Sequence, residues 1–322
     1  MFHPLVSIVI PVYNGANYMR MSIDSALAQT YDNIETLVVN DGSTDGGVTE
    51  RIALSYGDKI RYFDKANGGV ATALNMAIAN MRGEYFSWLS HDDLYLPEKV
   101  EKQVKLLSEL EDKTTIAFSG FMTIDGSGRE IQRILPLRRY SQKQLETPLF
   151  PLFHGMIDGV NLLIHKSHFE RVGLFREDLA TTQDYDMWFR VMRGQCCCFV
   201  PEVLVCSRQH NAQDTITKQE RVIRDGDALW IGFLNSLTDA EKIEMDGSLY
   251  KFYRNLYLRF VSSMHPKIKD YIKREAERTC GAYAAVRLDI SAAASIGVKV
   301  LLSLKRYGIK GTLGRIKDRL KR

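Results

Sequence analysis

Thr36-Leu37-Val38-Val39-Asn40-Asp41-Gly42-Ser43-Thr44-Asp45 runs from an apolar, β-favouring stretch straight into an acidic turn. A second junction of the same kind is Tyr85-Phe86-Ser87-Trp88-Leu89-Ser90-His91-Asp92-Asp93. A buried strand gains no stability by ending in carboxylates. An unpaired charge at a sheet edge is costly to desolvate unless a cation or hydrogen-bond donors meet it. In open α/β sheets ligands bind outside the carboxyl ends of the strands, so Asp41 and Asp92 mark a binding edge.

Outward from these junctions the first hundred or so residues alternate strand and helix patterns. Val6 to Val12, Ile34 to Asn40, Ile60 to Phe63 and Tyr85 to Leu89 read as strands. Tyr18 to Gln29, Val48 to Tyr56, Val70 to Ala79 and Pro97 to Glu109 read as helices, the last with Val100, Val104 and Leu107 at helical spacing. This βα repetition predicts an α/β fold with a mostly parallel, twisted sheet and flanking helices. Thr115 to Ser119, Met122 to Ile124 and Glu130 to Ile134 follow as antiparallel strands around the turn Asp125-Gly126-Ser127-Gly128. Residues 156–208 mix short strands with helices at Lys166 to Val172 and Tyr185 to Arg193, followed by strand-like Cys198 to Val200 and Leu204 to Cys206. From about Ala212 the pattern is nearly all helical, which predicts a catalytic domain over 1–214 and a helical extension over 215–322.

Composition narrows the function classes. A chain of 322 residues with 45% hydrophobic residues can bury a packed core. The balance of 43 basic against 39 acidic residues, +4, does not point to nucleic acid. Five cysteines, three of them adjacent at Cys196, Cys197 and Cys198, form neither a disulfide framework nor a paired metal pattern, and read as small hydrophobes in a reducing, cytoplasmic setting. Leu5 to Val12 lacks a basic leader and contains Pro11, so it reads as a first strand rather than a signal peptide. Ile296 to Leu304, interrupted by Lys299, falls short of the roughly 20 apolar residues of a spanning helix.

Taken together, Val6-Ser7-Ile8-Val9-Ile10-Pro11-Val12-Tyr13-Asn14, Asp41-Gly42-Ser43-Thr44-Asp45, Asn67-Gly68-Gly69, Asp92-Asp93 and Gln183-Asp184-Tyr185-Asp186 resemble the family 2 glycosyltransferases of GT-A fold. The resemblance covers residues 5–213. It implies an inverting transfer of a sugar from a nucleotide diphosphate donor, with a divalent cation, Mn²⁺ or Mg²⁺. Asp92 then matches the metal ligand and Asp93 adds a supporting charge. Ser90 stands where the family commonly has a leading aspartate, and His91 fills the middle of that motif.

Asp41 matches the residue that meets the nucleotide base, with Pro11, Val12 and Tyr13 completing the pocket and Tyr13 placed to stack on the ring. A uridine, thymidine or guanosine base would each present an N–H, so the donor is a UDP-, dTDP- or GDP-sugar. The alternative for Asp41 and Asp45 is a loop of Asx turns. Asn67 and Gly68 belong to the same site, where Gly68 and Gly69 either let the backbone approach the donor or form an ordinary turn. Inversion needs one base for the acceptor hydroxyl. Asp184 matches it, and would also serve as a helix N-cap; Asp186 reads as a first-turn charge. In Arg208-Gln209-His210-Asn211, Arg208 would pair with the diphosphate. His210 would complete the metal shell, touch phosphate, or be structural. Asp158-Gly159 is placed on the acceptor side.

The acceptor implied is a saccharide or a lipid-linked sugar, in surface polysaccharide or glycoconjugate synthesis. Ile309, Leu313, Ile316 and Leu320 recur at helical spacing among Lys310, Arg315, Lys317, Arg319, Lys321 and Arg322. That basic stripe suits an anionic membrane surface, or packing against a domain or partner. A sugar-phosphate nucleotidyltransferase would carry a glycine-rich basic loop where Pro11-Val12-Tyr13-Asn14-Gly15-Ala16 stands. An inactive scaffold is suggested by Ser90 and opposed by Asp184.

Overall fold

The computed structural model describes residues 2–211 and 213–297, and the basic stripe of residues 309–322 lies outside them. The chain divides into two compact units, residues 1–229 and 230–322.

The first unit opens with β1 (Val6–Val12), α1 (Met19–Leu27), β2 (Ile34–Asp41), α2 (Val48–Leu54), β3 (Arg61–Lys65), α3 (Val70–Asn80), β4 (Tyr85–Trp88), β5 (Leu94–Tyr95) and α4 (Lys99–Glu109). It continues with β6 (Ile116–Asp125), β7 (Glu130–Ile134), α5 (Gln142–Glu146), α6 (Phe150–Phe153), β8 (Leu162–His165), α7 (Ser167–Val172), α8 (Gln183–Met192), β9 (Cys197–Gln209) and α9 (Asp214–Thr217). Nine strands form one sheet in the order β3-β2-β1-β4-β8-β6-β9-β5, with β7 added on β6. The β3-β2-β1-β4 half is parallel. Every residue of β1 is buried, as expected for a parallel strand covered on both faces.

The other half departs from βα repetition. β8 runs antiparallel to both β4 and β6, while β6 and β9 are parallel to each other. Thr115 to Ser119 and Met122 to Ile124, expected as two strands, are one long β6, and Cys198 to Val200 and Leu204 to Cys206 are likewise one β9 with register shifts opposite Gly120. Because β8 is reversed, its N-terminal end lies at the same sheet edge as the C-terminal ends of β1, β2, β4, β6 and β9. The loop that precedes β8, with Asp158, is thereby brought beside Asp92.

Helix α4 carries more than the apolar face expected of it. Val100, Val104 and Leu107 are buried, and so are Lys99 and Gln103. Lys99 Nζ donates to the Leu162 carbonyl at 2.9 Å and to Ser87 Oγ. Gln103 Nε2 donates to the Asn161 carbonyl at 2.9 Å. Burial without an opposite charge drives the Lys99 ammonium well below its usual range. Two polar side chains of α4 thus tie it to the start of β8. Cys197 and Cys198 are both buried, as the sequence suggests for small hydrophobes, and Cys196 is exposed.

Helix α10 (Gln219–Ser236) contains the unit boundary, and α11 (Asp239–Asp246), α12 (Leu249–Phe260) and α13 (Pro266–Cys280) follow, with a further helical stretch over 284–297. A capping box of Thr238 and Glu241 starts α11. Phe252, Leu256 and Phe260 of α12 and Ile268, Ile272 and Ala276 of α13 recur at helical spacing and are buried. Among the described residues no helix is long and apolar enough to cross a membrane.

Candidate active site

Three loops at the strand ends build one side of the site. Asn14, in the left-handed region at φ 51°, exchanges hydrogen bonds with the turn after β2: its amide donates to Ser43 Oγ at 2.8 Å, and its Oδ1 accepts from the Thr44 amide at 2.8 Å. Asp45 accepts from the Val48 and Thr49 amides and, at 2.6 Å, from Thr49 Oγ1, which also accepts from the Gly15 amide. Asp45 is therefore the carboxylate that fixes the start of α2. Tyr13, 45% exposed beside this knot, presents its ring to solvent, while Pro11 and Val12 are buried beneath it.

Asp41 corrects an expectation. Its carboxylate, 3% exposed, is not open to a base. Oδ1 accepts from Lys65 Nζ at 2.6 Å and from the Gly68 amide at 3.0 Å, and Oδ2 accepts from the Gly69 amide at 2.7 Å. Asn67 Nδ2 donates to the Asp41 carbonyl at 2.9 Å. Asn67, Gly68 and Gly69 thus form a turn wrapped around Asp41. Gly42 sits under this turn at φ +65°, and a Cβ there would lie 2.5 Å from the Asn67 amide nitrogen. Gly42→Ala is expected to cost about 1–3 kcal/mol, measured as a lowered denaturant midpoint at unchanged slope.

The second acidic cluster meets the end of β9. β5 pairs Leu94 with Cys206 and Tyr95 with Val205, which sets the Asp92-Asp93 turn against Arg208. Asp93 Oδ1 accepts from the Arg208 amide at 2.7 Å. Burial first, then the charges of Asp92 and Asp158, hold the Asp93 carboxyl well above the usual carboxylate range. Asp93 is a buried group that ties the acidic turn to the end of β9. Arg208 also departs from expectation. It is 1% exposed, donates through Nε to the Asp92 carbonyl at 2.8 Å and through Nη1 to the Asp125 and Gly126 carbonyls, and stacks 4.5 Å from the Tyr18 ring centroid. Through Nε and Nη1 the guanidinium holds the Asp92 loop in place, while Nη2 is buried without a partner in the chain.

Asp92 and His210 come together as the motifs imply. His210 Nε2 lies 3.0 Å from Asp92 Oδ2, which also accepts from Gln213 Nε2 at 3.3 Å. Gln213 braces the loop further, accepting from the His210 amide and donating to the Arg208 carbonyl. The His210 ring packs 5.0 Å from that of Tyr18. Among the described residues no group of three His, Cys, Asp or Glu is arranged to enclose a metal. The pair nevertheless fits one: a carboxylate oxygen and an imidazole nitrogen suit Mn²⁺, and two protein donors leave positions for donor oxygens. The Ser90 carbonyl accepts from Ser22 Oγ of α1 at 2.9 Å, which anchors the turn. Burial lowers the His91 pKa, keeping the ring neutral.

Asp184 lies in the first turn of α8. Burial raises its pKa to about 6, against the lowering effect of the Tyr185 amide and its own. Asp158 is raised to about 7, by burial and by the charges of Asp184 and Asp92. Mutual repulsion places Asp92, Asp93, Asp158 and Asp184 in one neighbourhood. Asp186 pairs with Arg190 at 2.7 Å on the same helix and is structural. Lys65, Tyr18 and Gln213 are site residues that the sequence reading missed. Each acts by reaching another loop, and no local pattern marks such a contact.

Comparison with known proteins identifies the family to which this arrangement belongs. The family profile described as Glycosyl transferase family 2 matches residues 7–173. An uncharacterized glycosyltransferase of Rickettsia typhi is 47% identical over 318 residues, 98% of this chain and 96% of the relative. Among solved structures, S. aureus TarS 1-349 in complex with UDP-GlcNAc superposes with a TM-score of 0.54 at 15% identity, covering 87% of this chain and 93% of that one. The mannosyltransferase PcManGT of Pyrobaculum calidifontis, in complex with GDP-Man and Mn²⁺, has a TM-score of 0.51 at 18% identity over 99% of this chain and 85% of that one. Motifs, fold and relatives converge: this chain belongs to glycosyl transferase family 2 and is a glycosyltransferase of GT-A fold.

Proposed function

We propose that the enzyme transfers a sugar, with inversion, from a nucleoside diphosphate donor to a hydroxyl of a saccharide or lipid-linked acceptor, in the synthesis of a surface polysaccharide or glycoconjugate. The observation that carries this reading is the pairing, on one sheet edge, of a metal-type couple, Asp92 with His210, and a separate carboxyl, Asp184, raised to about 6. A base with that pKa is mostly ionised at neutral pH yet still basic enough to accept a proton.

Asp184 takes the proton of the acceptor hydroxyl as its oxygen attacks the anomeric carbon opposite the leaving diphosphate. Asp92 and His210 would hold a Mn²⁺ or Mg²⁺ ion, which when bound neutralises charge growing on that diphosphate. Tyr13 and the turn built on Asp41 receive the base, with a UDP-, dTDP- or GDP-sugar as donor. The complexes of TarS with UDP-GlcNAc and of PcManGT with GDP-Man and Mn²⁺ support donors and a cation of these classes. Catalysis is assigned to residues 1–214 and the helical extension to 215–322. The site of action is the cytoplasm, at the inner membrane face if the basic stripe over 309–322 engages anionic lipid.

The test is a thermal-shift panel of UDP, dTDP, GDP and their sugars, with and without Mn²⁺. One base class should raise Tm by several degrees at saturating concentration, since ligand at 100 times Kd contributes about 2.7 kcal/mol. No shift with any nucleotide in the presence of Mn²⁺ would sink the proposal.

A further inference from the structure

We propose that the helical stretch over 284–297 carries a membrane-docking face, built on Tyr283, Val286 and Ile290, that lies in the surface of an anionic bilayer. The inference rests on the membrane location proposed above and deepens it, adding the apolar contact that a basic stripe alone lacks.

The stretch has two apolar faces. Ala284, Leu288 and Ala292 recur at helical spacing and are buried, which seats the helix on its own unit. On the opposite side Tyr283 is 80% exposed, Val286 54% and Ile290 63%. Ala293, Ala294 and Gly297, all exposed, prolong that row. One packed face is enough to hold a helix on a domain, so a second row of large apolar side chains marks a contact surface. Charge leaves the row clear. Between 283 and 297 the charged residues are Arg287 and Asp289. Asp289 accepts from Lys273 Nζ and Tyr257 Oη, both at 2.8 Å, and the Arg287 guanidinium sits 4.2 Å from the Tyr250 ring centroid.

What covers the row follows from the charge beside it. Residues 298–322 hold nine Lys and Arg against one acid, Asp318, a surplus of eight in a chain whose total is +4. Residues 1–297 are therefore net acidic at −4, and the whole basic excess follows directly on the apolar row. In the sequence the spacing of that row runs on to Leu301 and Leu304, where Lys305 and Arg306 open the basic run. Apolar side chains continuous in sequence with concentrated positive charge meet both demands of a bilayer surface: acyl chains take the first and anionic headgroups the second. A second copy of the chain fits worse, because it would bring two such basic segments together. The contact is with one leaflet, since no described helix is long and apolar enough to cross.

The full chain is sedimented with vesicles of phosphatidylcholine, with and without phosphatidylglycerol. No nucleotide is present, so the outcome is independent of the donor site. Wild type should bind the mixed vesicles and leave the neutral ones in solution. Val286→Gln with Ile290→Gln removes apolar surface at two exposed positions, adds no charge and keeps good helix formers. The pair should weaken binding to mixed vesicles by about 10- to 100-fold, with thermal midpoint and solution mass unchanged. If it binds as wild type does, the inference falls; loss of binding on deletion of residues 309–322 then leaves the basic stripe as the sole contact. A wild type that binds neither vesicle overturns the membrane location as well. Equal binding to both vesicles overturns the anionic assignment. A wild-type dimer that the Gln pair splits into monomers would make the row an interface between copies and overturn the docking face.

Discussion

Replacing Asp184 by Asn is expected to lower turnover by about 10²- to 10⁴-fold while leaving nucleoside diphosphate affinity unchanged. The variant keeps the volume and hydrogen-bonding capacity of the side chain at the head of α8, and it loses only the ability to accept a proton. Folding should be intact, because burial already penalises the charged form and a neutral isostere removes that penalty. The pH profile adds a second readout. The raised carboxyl is protonated below about 6, so kcat of the wild type should fall as pH drops through that value. The residual rate of Asp184→Asn should lack that limb. Turnover equal to wild type, or an acid limb that survives the substitution, would rule out the base assignment.

The second large effect is expected at Asp92. In wild type, Mn²⁺ should tighten nucleoside diphosphate binding, and Asp92→Ala should abolish most of that tightening, a loss of about 10- to 100-fold or more. The substitution removes the carboxylate of the Asp92–His210 couple and leaves the Asp92 carbonyl, which is what Arg208 grips, in place. Loss of the cation effect can thus be separated from collapse of the loop. Titrating UDP or GDP into both proteins with and without Mn²⁺ gives four affinities. Four equal values would remove Asp92 from the cation site.

Much of this architecture was legible in the chain because it depends on local pattern. β1 to β4 and α1 to α4 follow from apolar runs and helical spacing, with ends within a few residues of those expected. The couple of Asp92 with His210, and the place of Asp184 at the head of a helix, match what the family motifs imply. Three site residues meet partners that the sequence does not show, for one physical reason. Asp41, Asp93 and Arg208 are charged groups at the right positions, and the sequence shows the charge but not who neutralises it. Lys65 with the Gly68 and Gly69 amides neutralises Asp41, and the Arg208 amide and burial deal with Asp93. Main-chain carbonyls of Asp92, Asp125 and Gly126 occupy Arg208.

The amino-acid sequence by itself determined the α/β class, the edge of the sheet that carries chemistry and the family, since periodicity and motif spacing are properties of neighbouring residues along one chain. Tertiary structure alone decided which carboxyls stay available. The reversal of β8 brings Asp158 to the edge held by Asp92 and Asp184, and the pairing of β5 with β9 turns Asp93 and Arg208 inward. Both are contacts between segments far apart in sequence, and desolvation and hydrogen bonding across such contacts set the ionisation and reach of a side chain.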